Sequence, residues 1–269
     1  MINKEDIEKL INENLTLKEI AIKINVSYNT ILRYCKKYSL TSNTGCKGAK
    51  KYNIDENYFE EIDTEEKAYW LGFIAADGNL HASVKNKSIN RIQINLKKDD
   101  KNHLEKFQRA IKSNYILNEK VVNNSSVVQL KINCTKMCND LIAKNITPKK
   151  SLIVTMPELP QHLVRHYIRG YFDGDGNIKN FYDKNNRHRY NFNIVGGIDM
   201  LEQIQQHIPC STSIYKLKRV NEIFSLETTK KNNIIIIYNY LYNNATIYLE
   251  RKKDIFDDLM SRLAEMQGQ

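Results

Sequence analysis

The chain has 269 residues, enough for one large domain or two to three small ones with a sizeable buried core. Its 41 lysines and arginines outnumber 31 aspartates and glutamates, and a net charge of +10 favours a polyanionic partner, most often nucleic acid. The aliphatic run at 234–237 is too short to span a bilayer, and the N-terminus lacks an apolar stretch of signal-peptide type. The composition therefore argues against a membrane protein and predicts a cytoplasmic one.

The first 45 residues are predicted to form a small helical domain. Ile7 and Ile11 lie on one face of a first helix, together with Leu10. Thr16 is the predicted N-cap of a second helix, and Glu19, three residues later, completes a capping box.

The stretch LTLKEIAIKINVSYNTILRYCKKYSL (15–40) resembles a helix-turn-helix in its length and apolar spacing. The spacing predicts that its two helices turn one set of side chains inward: Ile20, Ala21, Ile24, Ile31, Leu32 and Cys35. In helix-turn-helix proteins the second helix of the pair enters the DNA major groove. The exposed candidates for DNA contact are then Tyr28, Asn29, Thr30 and Arg33. A helical hairpin used only for packing is the alternative.

Residues 46–63 are predicted to be a linker. The charge changes sign there, because residues 16–51 hold eight basic residues and one acid, whereas residues 52–66 hold seven acids and no base. DNA would repel the acidic part. We therefore expect that part to lie away from DNA or to pack against the next domain.

A segment of twelve residues occurs twice, as YWLGFIAADGNL (69–80) and YIRGYFDGDGNI (167–178), at an offset of 98 residues with five identical positions. A repeat of this length predicts two copies of one structural unit. We place the two halves at residues 64–156 and 157–269. Each copy is an apolar helical segment that ends in an acid followed by glycine.

Small residues stand four positions apart in each copy, Gly72 and Ala76 in the first and Gly170 and Gly174 in the second. Positions i and i+4 share one helix face. A face of glycine and alanine lets two helix backbones approach closely. The sequence therefore predicts that the two repeated helices pack against each other.

This packing would bring the two terminal carboxylates, Asp77 and Asp175, side by side. Two close carboxylates repel unless a positive charge lies between them, and a divalent cation that prefers oxygen, such as Mg²⁺, fits that place. The main-chain oxygens of Ala76 and Gly174 are the candidate further ligands. The glycines that follow, Gly78 and Gly176, are predicted to end the helices in left-handed caps.

Strand-like sequence follows each repeat. In RIQINLK (91–97) polar and apolar residues alternate with period two, and residues 128–133 and 189–194 alternate likewise. One face would pack on a core, whereas the other presents Arg, Lys, Asn and Gln, which match base edges and phosphates. Helices are predicted near 100–112, 135–144, 199–208 and 229–242. Each half thus has the order helix, hairpin, helix, hairpin, helix.

The two repeats resemble the LAGLIDADG motif of homing endonucleases, with which WLGFIAADG (70–78) and IRGYFDGDG (168–176) align without gaps. The resemblance is to the monomeric two-repeat type and covers roughly residues 52–265. It implies an α+β fold of two pseudo-symmetric αββαββα halves that form a DNA-binding saddle. It also implies Mg²⁺-dependent cleavage of both strands of a long asymmetric DNA target, with Mn²⁺ as a substitute and no obligate protein partner.

The resemblance assigns catalysis and metal binding to Asp77 and Asp175, the later acid of each motif. The first copy departs from the motif, because Ala75 stands where the earlier acid usually falls, whereas the second copy keeps that acid as Asp173. Asp173 is therefore expected to be structural.

The family also places a basic residue of each half near the cleavage centre. Lys150 in ITPKKS (146–151) and Lys252 in YLERKKD (248–254) fit by position, with Lys149 and Lys253 as neighbours that could substitute. Phosphate contact or plain solvated charge remains the alternative for each lysine.

The residues predicted to contact DNA lie in the strands and hairpins of both halves: His81, Lys85, Arg91, Gln93, Asn95, Lys97, Gln129, Lys131, Lys179, Arg189, Asn191, Asn193, Lys216 and Lys218. Gln93 and Asn191 are also candidates for lining the metal site or positioning water.

Two other functions are compatible with the same sequence. One is an RNA maturase that assists splicing of its host intron, and the other is a DNA-binding regulator that does not cleave. Intact acids at both motif positions favour the nuclease.

Overall fold

The computed structural model divides into two compact units, Met1–Asn53 and Ile54–Gln269. It describes residues 3–13, 15, 17–38, 40, 52–83, 88–122, 124–217 and 222–267. The predicted N-cap Thr16, the predicted DNA contacts Lys85 and Lys218, and residues 46–51 of the predicted linker lie outside the described residues.

The smaller unit contains three helices, α1 (Lys4–Asn12), α2 (Leu17–Lys23) and α3 (Tyr28–Lys37). Ser27 caps α3 by accepting a hydrogen bond from the main-chain N–H of Thr30 at 3.1 Å. The three helices enclose a small core of Ile7, Ile11, Ile20, Ala21, Ile31 and Cys35. The prediction that Leu32 points inward is wrong, since its side chain is 41% exposed. Ile31 and Cys35, four positions apart, already form the inward stripe of α3.

The first half of the larger unit has the predicted order of elements. They are α4 (Glu65–Asp77), β1 (Gly78–Ala82), β2 (Ile89–Lys97), α5 (Lys101–Ala110), β3 (Asn118–Val122), β4 (Ser125–Asn133) and α6 (Thr135–Ala143). The four strands form one antiparallel sheet in the order β1-β2-β4-β3.

The second half repeats this arrangement and adds one helix. Its elements are α7 (Gln161–Asp175), β5 (Gly176–Tyr182), β6 (His188–Gly196), α8 (Ile198–His207), β7 (Ser213–Lys216), β8 (Phe224–Thr228), α9 (Lys231–Tyr242) and α10 (Glu250–Gln267). Its antiparallel sheet has the equivalent order β5-β6-β8-β7. The predicted α+β fold of two αββαββα halves is confirmed. None of the helices in the described ranges is both long enough and apolar enough to cross a membrane.

Each sheet has one apolar and one polar face, as the alternation predicts. In β2, Ile92, Ile94 and Leu96 are buried, while Arg91, Asn95 and Lys97 between and beside them are exposed. In β6, Tyr190, Phe192 and Ile194 are likewise buried. The helices therefore cover the apolar faces and leave the polar faces open to solvent.

Helices α4 and α7 pack against each other at the predicted small residues. A Cβ atom added at Gly72 would lie 3.0 Å from the main-chain nitrogen of Tyr171 and still closer to the carbonyl oxygen of Tyr167. A Cβ atom at Gly170 would lie 2.8 Å from the nitrogen of Phe73 and still closer to the carbonyl oxygen of Tyr69. Main-chain atoms of one helix thus occupy the space of a side chain on the other.

The prediction of left-handed caps at Gly78 and Gly176 is wrong, because both residues are extended, with φ of −78° and −90°. Each glycine is the first residue of a strand, so the chain passes from helix to strand without a left-handed turn. Glycine is needed there for space. A Cβ atom at Gly78 would lie 2.7 Å from the carbonyl oxygen of Ile74, and one at Gly176 would lie 2.5 Å from that of Phe172.

The part of the predicted linker from residue 54 onward belongs to the larger unit. Tyr58, Phe59 and Ile62 are buried in its core, and the ring of Phe59 lies 6.3 Å from that of Phe107. The main-chain N–H of Asp55 also donates to the carbonyl oxygen of Ile111 at 2.8 Å. Burial of these three apolar side chains stabilises the packing of this acidic segment against the larger unit.

We predict that Gly72→Ala destabilises the larger unit by roughly 2 kcal/mol, because overpacking typically costs about 1–3 kcal/mol and outweighs the gain in helix propensity. Denaturant unfolding of the full chain measures this loss. Glu66→Ala, at an exposed position of the same helix, is the control and should stay within about 0.5 kcal/mol of wild type. A Gly72→Ala protein as stable as wild type would contradict the close approach.

Candidate active site at the paired motif helices

The carboxylates that end the two motif helices, Asp77 and Asp175, lie next to each other. A Cβ atom added at Gly174 would be 3.5 Å from the Cγ atom of Asp77, so this carboxyl lies against the end of α7. Burial raises the pKa of Asp77 to about 6, and the neighbouring Asp175 carboxylate adds to the shift while the nearby lysines oppose it. Desolvation by the surrounding protein also raises the pKa of Asp175, which is the more solvent-exposed of the two.

Lys150 and Lys252 are buried beside these carboxylates, with only 4% and 3% of their surfaces exposed. The ammonium group of Lys150 donates to the carbonyl oxygen of Ala76 at 2.7 Å. The three N–H groups of the Lys252 ammonium lie within hydrogen-bonding distance of four carbonyl oxygens at the end of α7 and the start of β5: Phe172 at 2.6 Å, Asp173 at 2.7 Å, Gly174 at 3.3 Å and Gly176 at 2.6 Å. The carbonyl oxygens at a helix C-terminus carry partial negative charge, so a cation is favourable there.

Burial lowers the pKa of both lysines to about 8, against the attraction of the nearby aspartates. Their sequence neighbours lie elsewhere. Lys149 is exposed and has a left-handed backbone with φ of 59°, and Lys253 pairs with Asp257 at 2.6 Å. Of the four candidate lysines, the structure therefore brings Lys150 and Lys252 to the carboxylates. Their catalytic role stays a prediction.

The groups at this position fit a hard divalent cation. They are the carboxylates of Asp77 and Asp175 and the main-chain oxygens of Ala76 and Gly174, and Mg²⁺ prefers such oxygen ligands. Each of the two carbonyl oxygens also accepts a lysine hydrogen bond but keeps a second lone pair. Among the described residues, no cluster of three or more His, Cys, Asp and Glu side chains could hold a metal. A cation here would therefore depend on the two aspartates, main-chain oxygens and water.

Asp173, the earlier acid of the second motif, is buried and accepts hydrogen bonds from three protein groups. One carboxylate oxygen accepts from the Tyr69 hydroxyl at 2.7 Å and from the Leu249 main-chain N–H at 2.8 Å. The other accepts from the Tyr242 hydroxyl at 2.8 Å. Asp173 thus joins α4, α7, α9 and the segment before α10.

The equivalent contact is missing on the other side of the pseudo-twofold axis. The offset of 98 residues relates Tyr69 to Tyr167 and Asp173 to Ala75. Ala75 offers no acceptor, and the buried hydroxyl of Tyr167 has no hydrogen-bond partner among the described residues. The loss of the acid in the first motif therefore coincides with an unsatisfied hydroxyl across the interface.

Most of the sheet residues predicted to contact DNA are at least partly exposed and share the polar faces. In the first sheet these are His81, Arg91, Gln93, Asn95, Lys97 and Lys131, and in the second sheet Lys179, Arg189, Asn191 and Asn193. In the smaller unit, Tyr28, Asn29 and Arg33 are exposed on α3, while the hydroxyl of Thr30 pairs with that of Ser27 at 2.8 Å.

Two of the predicted DNA contacts are placed differently by the structure. Gln129 is only 4% exposed, because β4 is an inner strand and Gln129 lies between Asn95 on β2 and Asn118 on β3. Its side-chain amide also donates to Asn95. Lys216 lies opposite Phe224 in the β7–β8 register. Successive side chains of a strand alternate between faces, so Lys216 lies on the other face of the sheet from its neighbour Tyr215, and therefore not on the polar face.

The strand register also places on the second polar face residues that the sequence pattern did not predict there. Phe181 lies opposite Arg189, Tyr215 opposite Ser225, and Glu227 opposite Asn193. Phe181 and Tyr215 are well exposed. Alternation of polar and apolar residues in Ser213–Lys216 and Phe224–Thr228 could have indicated these two strands. Each strand is so short, however, that the period-two pattern hardly differs from chance.

No protein-family model and no curated protein matches this sequence. Among solved structures, the chain is similar to the LAGLIDADG meganuclease I-AabMI bound to uncleaved DNA, with a TM-score of 0.52, 14% identity, and coverage of 74% of this chain and 91% of that one. It is also similar to the LAGLIDADG homing endonucleases I-GzeII and I-LtrWI, each in complex with target DNA. Both have a TM-score of 0.53 and 14% identity over 77% of this chain, covering 91% and 92% of theirs.

These similarities show the fold. The larger unit has the architecture of LAGLIDADG homing endonucleases, and the resemblance predicted from the two motifs is confirmed at that level.

The two motif tyrosines should respond differently to loss of the hydroxyl. We predict that Tyr69→Phe destabilises the protein by about 1.5–3 kcal/mol, because it removes a hydrogen bond to a charged group. Tyr167→Phe, the matched variant, should be neutral or slightly stabilising because the hydroxyl it removes is unsatisfied. Denaturant unfolding measures both, and equal losses would contradict the assigned asymmetry.

Proposed function

We propose that this protein is a site-specific endonuclease that hydrolyses both strands of a long, asymmetric double-stranded DNA target with a divalent metal ion. The observation that carries the proposal is the pair Asp77 and Asp175, held side by side at the ends of two packed helices with a buried lysine next to each. The fold supports it, since solved proteins of this architecture are described as endonucleases bound to DNA.

The two aspartates would hold Mg²⁺, which supplies activation of water, polarisation of the phosphoryl oxygen and stabilisation of the leaving 3′-oxygen. Lys150 and Lys252 place positive charge beside these carboxylates, where negative charge develops in the transition state. No side-chain nucleophile is required. The similar I-SmaMI was solved on uncleaved DNA in the presence of calcium ions, with a TM-score of 0.51 and 15% identity over 77% of this chain, which supports a cation in this fold.

The DNA would lie along the two polar sheet faces. Their side chains are mostly Arg, Lys, Asn and Gln, which pair with base edges and phosphates. The net charge of +10 supports the same partner. Both motif helices are in one chain, so the proposed enzyme acts as a monomer, and the predicted helix-turn-helix would add affinity for DNA.

The nuclease proposal predicts that Asp77→Asn and Asp175→Asn each lower cleavage at least about 100-fold, equivalent to about 2.7 kcal/mol, while DNA binding changes less than about tenfold because the sheet faces are untouched. The substrate is a plasmid that carries the joined DNA flanks of the gene, incubated with protein and Mg²⁺. Asp99→Asn, at an exposed position, is the control and should cleave like wild type. Wild-type cleavage by either motif variant would contradict the assignment, and binding without cleavage by wild type would favour the regulator.

The raised pKa of Asp77 predicts a link between pH, metal and stability. Its pKa rises from 3.8 to about 6 on folding, so the folded state favours the protonated carboxyl, and this contribution to stability is lost as the pH rises through about 6. Without metal at pH 7.5, Asp77→Asn should therefore melt about 2–4 °C higher than wild type, the shift expected for about 1 kcal/mol.

The same difference in melting temperature should shrink at pH 5, where wild-type Asp77 is protonated. Mg²⁺ should raise the melting temperature of wild type at pH 7.5 but not that of Asp77→Asn, because a ligand stabilises only the state that binds it. Differential scanning fluorimetry of both proteins covers the three conditions: pH 7.5 without metal, pH 5 without metal, and pH 7.5 with Mg²⁺. An equal Mg²⁺ response in both proteins would contradict a metal site at Asp77.

A further inference from the structure

The segment before α10 is fastened to the end of α7 by one buried carboxylate. Asp173 accepts the main-chain N–H of Leu249 at 2.8 Å, and the N–H of Lys252 in turn donates to the carbonyl oxygen of Leu249 at 3.1 Å. The first turn of α10 is therefore fixed relative to α7. From that turn, the Lys252 side chain reaches the carbonyl oxygens around Asp173 itself.

The same segment is also held from the first half. Arg251 donates to both carboxylate oxygens of Asp100, at 3.0 and 3.1 Å, and Asp100 is only 7% exposed. Lys106 on α5 pairs with Glu250 and donates to the carbonyl oxygen of Tyr248 at 3.3 Å. The chain just before Lys252 is thus held on two sides.

The equivalent segment of the first half lacks this anchor. Thr147 stands three residues before Lys150, as Leu249 stands before Lys252, and the acid that would face it is replaced by Ala75. The buried Thr147 hydroxyl has no partner among the described residues. Lys150 donates to one carbonyl oxygen, that of Ala76, whereas the Lys252 ammonium shares its three N–H groups among four carbonyl oxygens.

We propose that Asp173 is a positioning residue for Lys252, acting through the main-chain N–H of Leu249, and that the two halves of the active site are consequently held by different means. This inference rests on the proposed function, because it assigns each lysine to the cleavage of one of the two DNA strands. Loosening the segment before α10 should impair only the half that contains Lys252. Loss of folding, in contrast, would impair both halves together.

The strand-specific test uses full-length Asp173→Asn on a plasmid with each strand labelled separately. We expect one strand to be cut at least about tenfold more slowly, equivalent to about 1.4 kcal/mol, and the other within about twofold of wild type, so that nicked DNA accumulates. Lys252→Met should slow the same strand, and Lys150→Met the other. Equal slowing of both strands in Asp173→Asn, or slowing of the strand that depends on Lys150, would overturn the proposal.

Tyr242→Phe is the matched control. It removes another hydrogen bond to the Asp173 carboxylate but leaves the bond from Leu249 in place. It should lower the melting temperature without changing the ratio of the two cleavage rates. A strand bias in Tyr242→Phe as large as that in Asp173→Asn would show that the Leu249 contact is not what matters.

Hydrogen exchange tests the same contact without DNA or metal. In Asp173→Asn, amides in the peptide 246–253 should exchange at least about tenfold faster than in wild type, because the charged acceptor of the Leu249 amide is lost. Exchange in the peptide 146–153 should not change. Unchanged exchange at 246–253 would overturn the positioning role. If wild-type protein cuts no DNA, the nuclease proposal fails, while the exchange experiment still decides whether Asp173 fixes this segment.

Discussion

The close approach of α4 and α7 is the constraint on which the rest of the larger unit depends. Gly72 and Gly170 each leave room for the main chain of the other helix, and no side chain could occupy that space. Because the helix axes are that close, the residues that end them are neighbours. Burial and the neighbouring Asp175 carboxylate consequently raise the pKa of Asp77, and each sheet begins one residue beyond its carboxylate, at Gly78 and Gly176.

The two buried lysines connect this helix pair to chemistry. A helix end leaves carbonyl groups without main-chain partners, and Lys150 and Lys252 donate hydrogen bonds to carbonyl oxygens at the ends of α4 and α7. The same ammonium groups lie beside the two aspartates and lower their excess of negative charge. The same two lysines therefore stabilise the helix ends and complete the charged site. A substitution at either lysine should affect both the stability of a helix end and the electrostatics of the site.

The helix contact and the strand alternation could be predicted from the sequence because both depend on spacing alone. The helix caps could not, because the conformation of Gly78 depends on the strand that starts there. The burial of Gln129 depends on neighbours from two other strands, whose register the sequence does not give. Lys150 and Lys252 were found through family resemblance, since nothing in the local pattern distinguishes them from the adjacent lysines.

The alanine at position 75 shows which substitutions a single chain with two repeats can tolerate. In a symmetric dimer made from one copy of the repeat, each substitution occurs on both sides of the axis at once. Losing the acid would then orphan two tyrosine hydroxyls and release both segments that precede the lysines. Within one fused chain the change falls on one side only, and Asp173 keeps its three partners on the other. With both copies in one chain, one copy can therefore change at a buried position while the hydrogen bonds of the other copy still stabilise the fold.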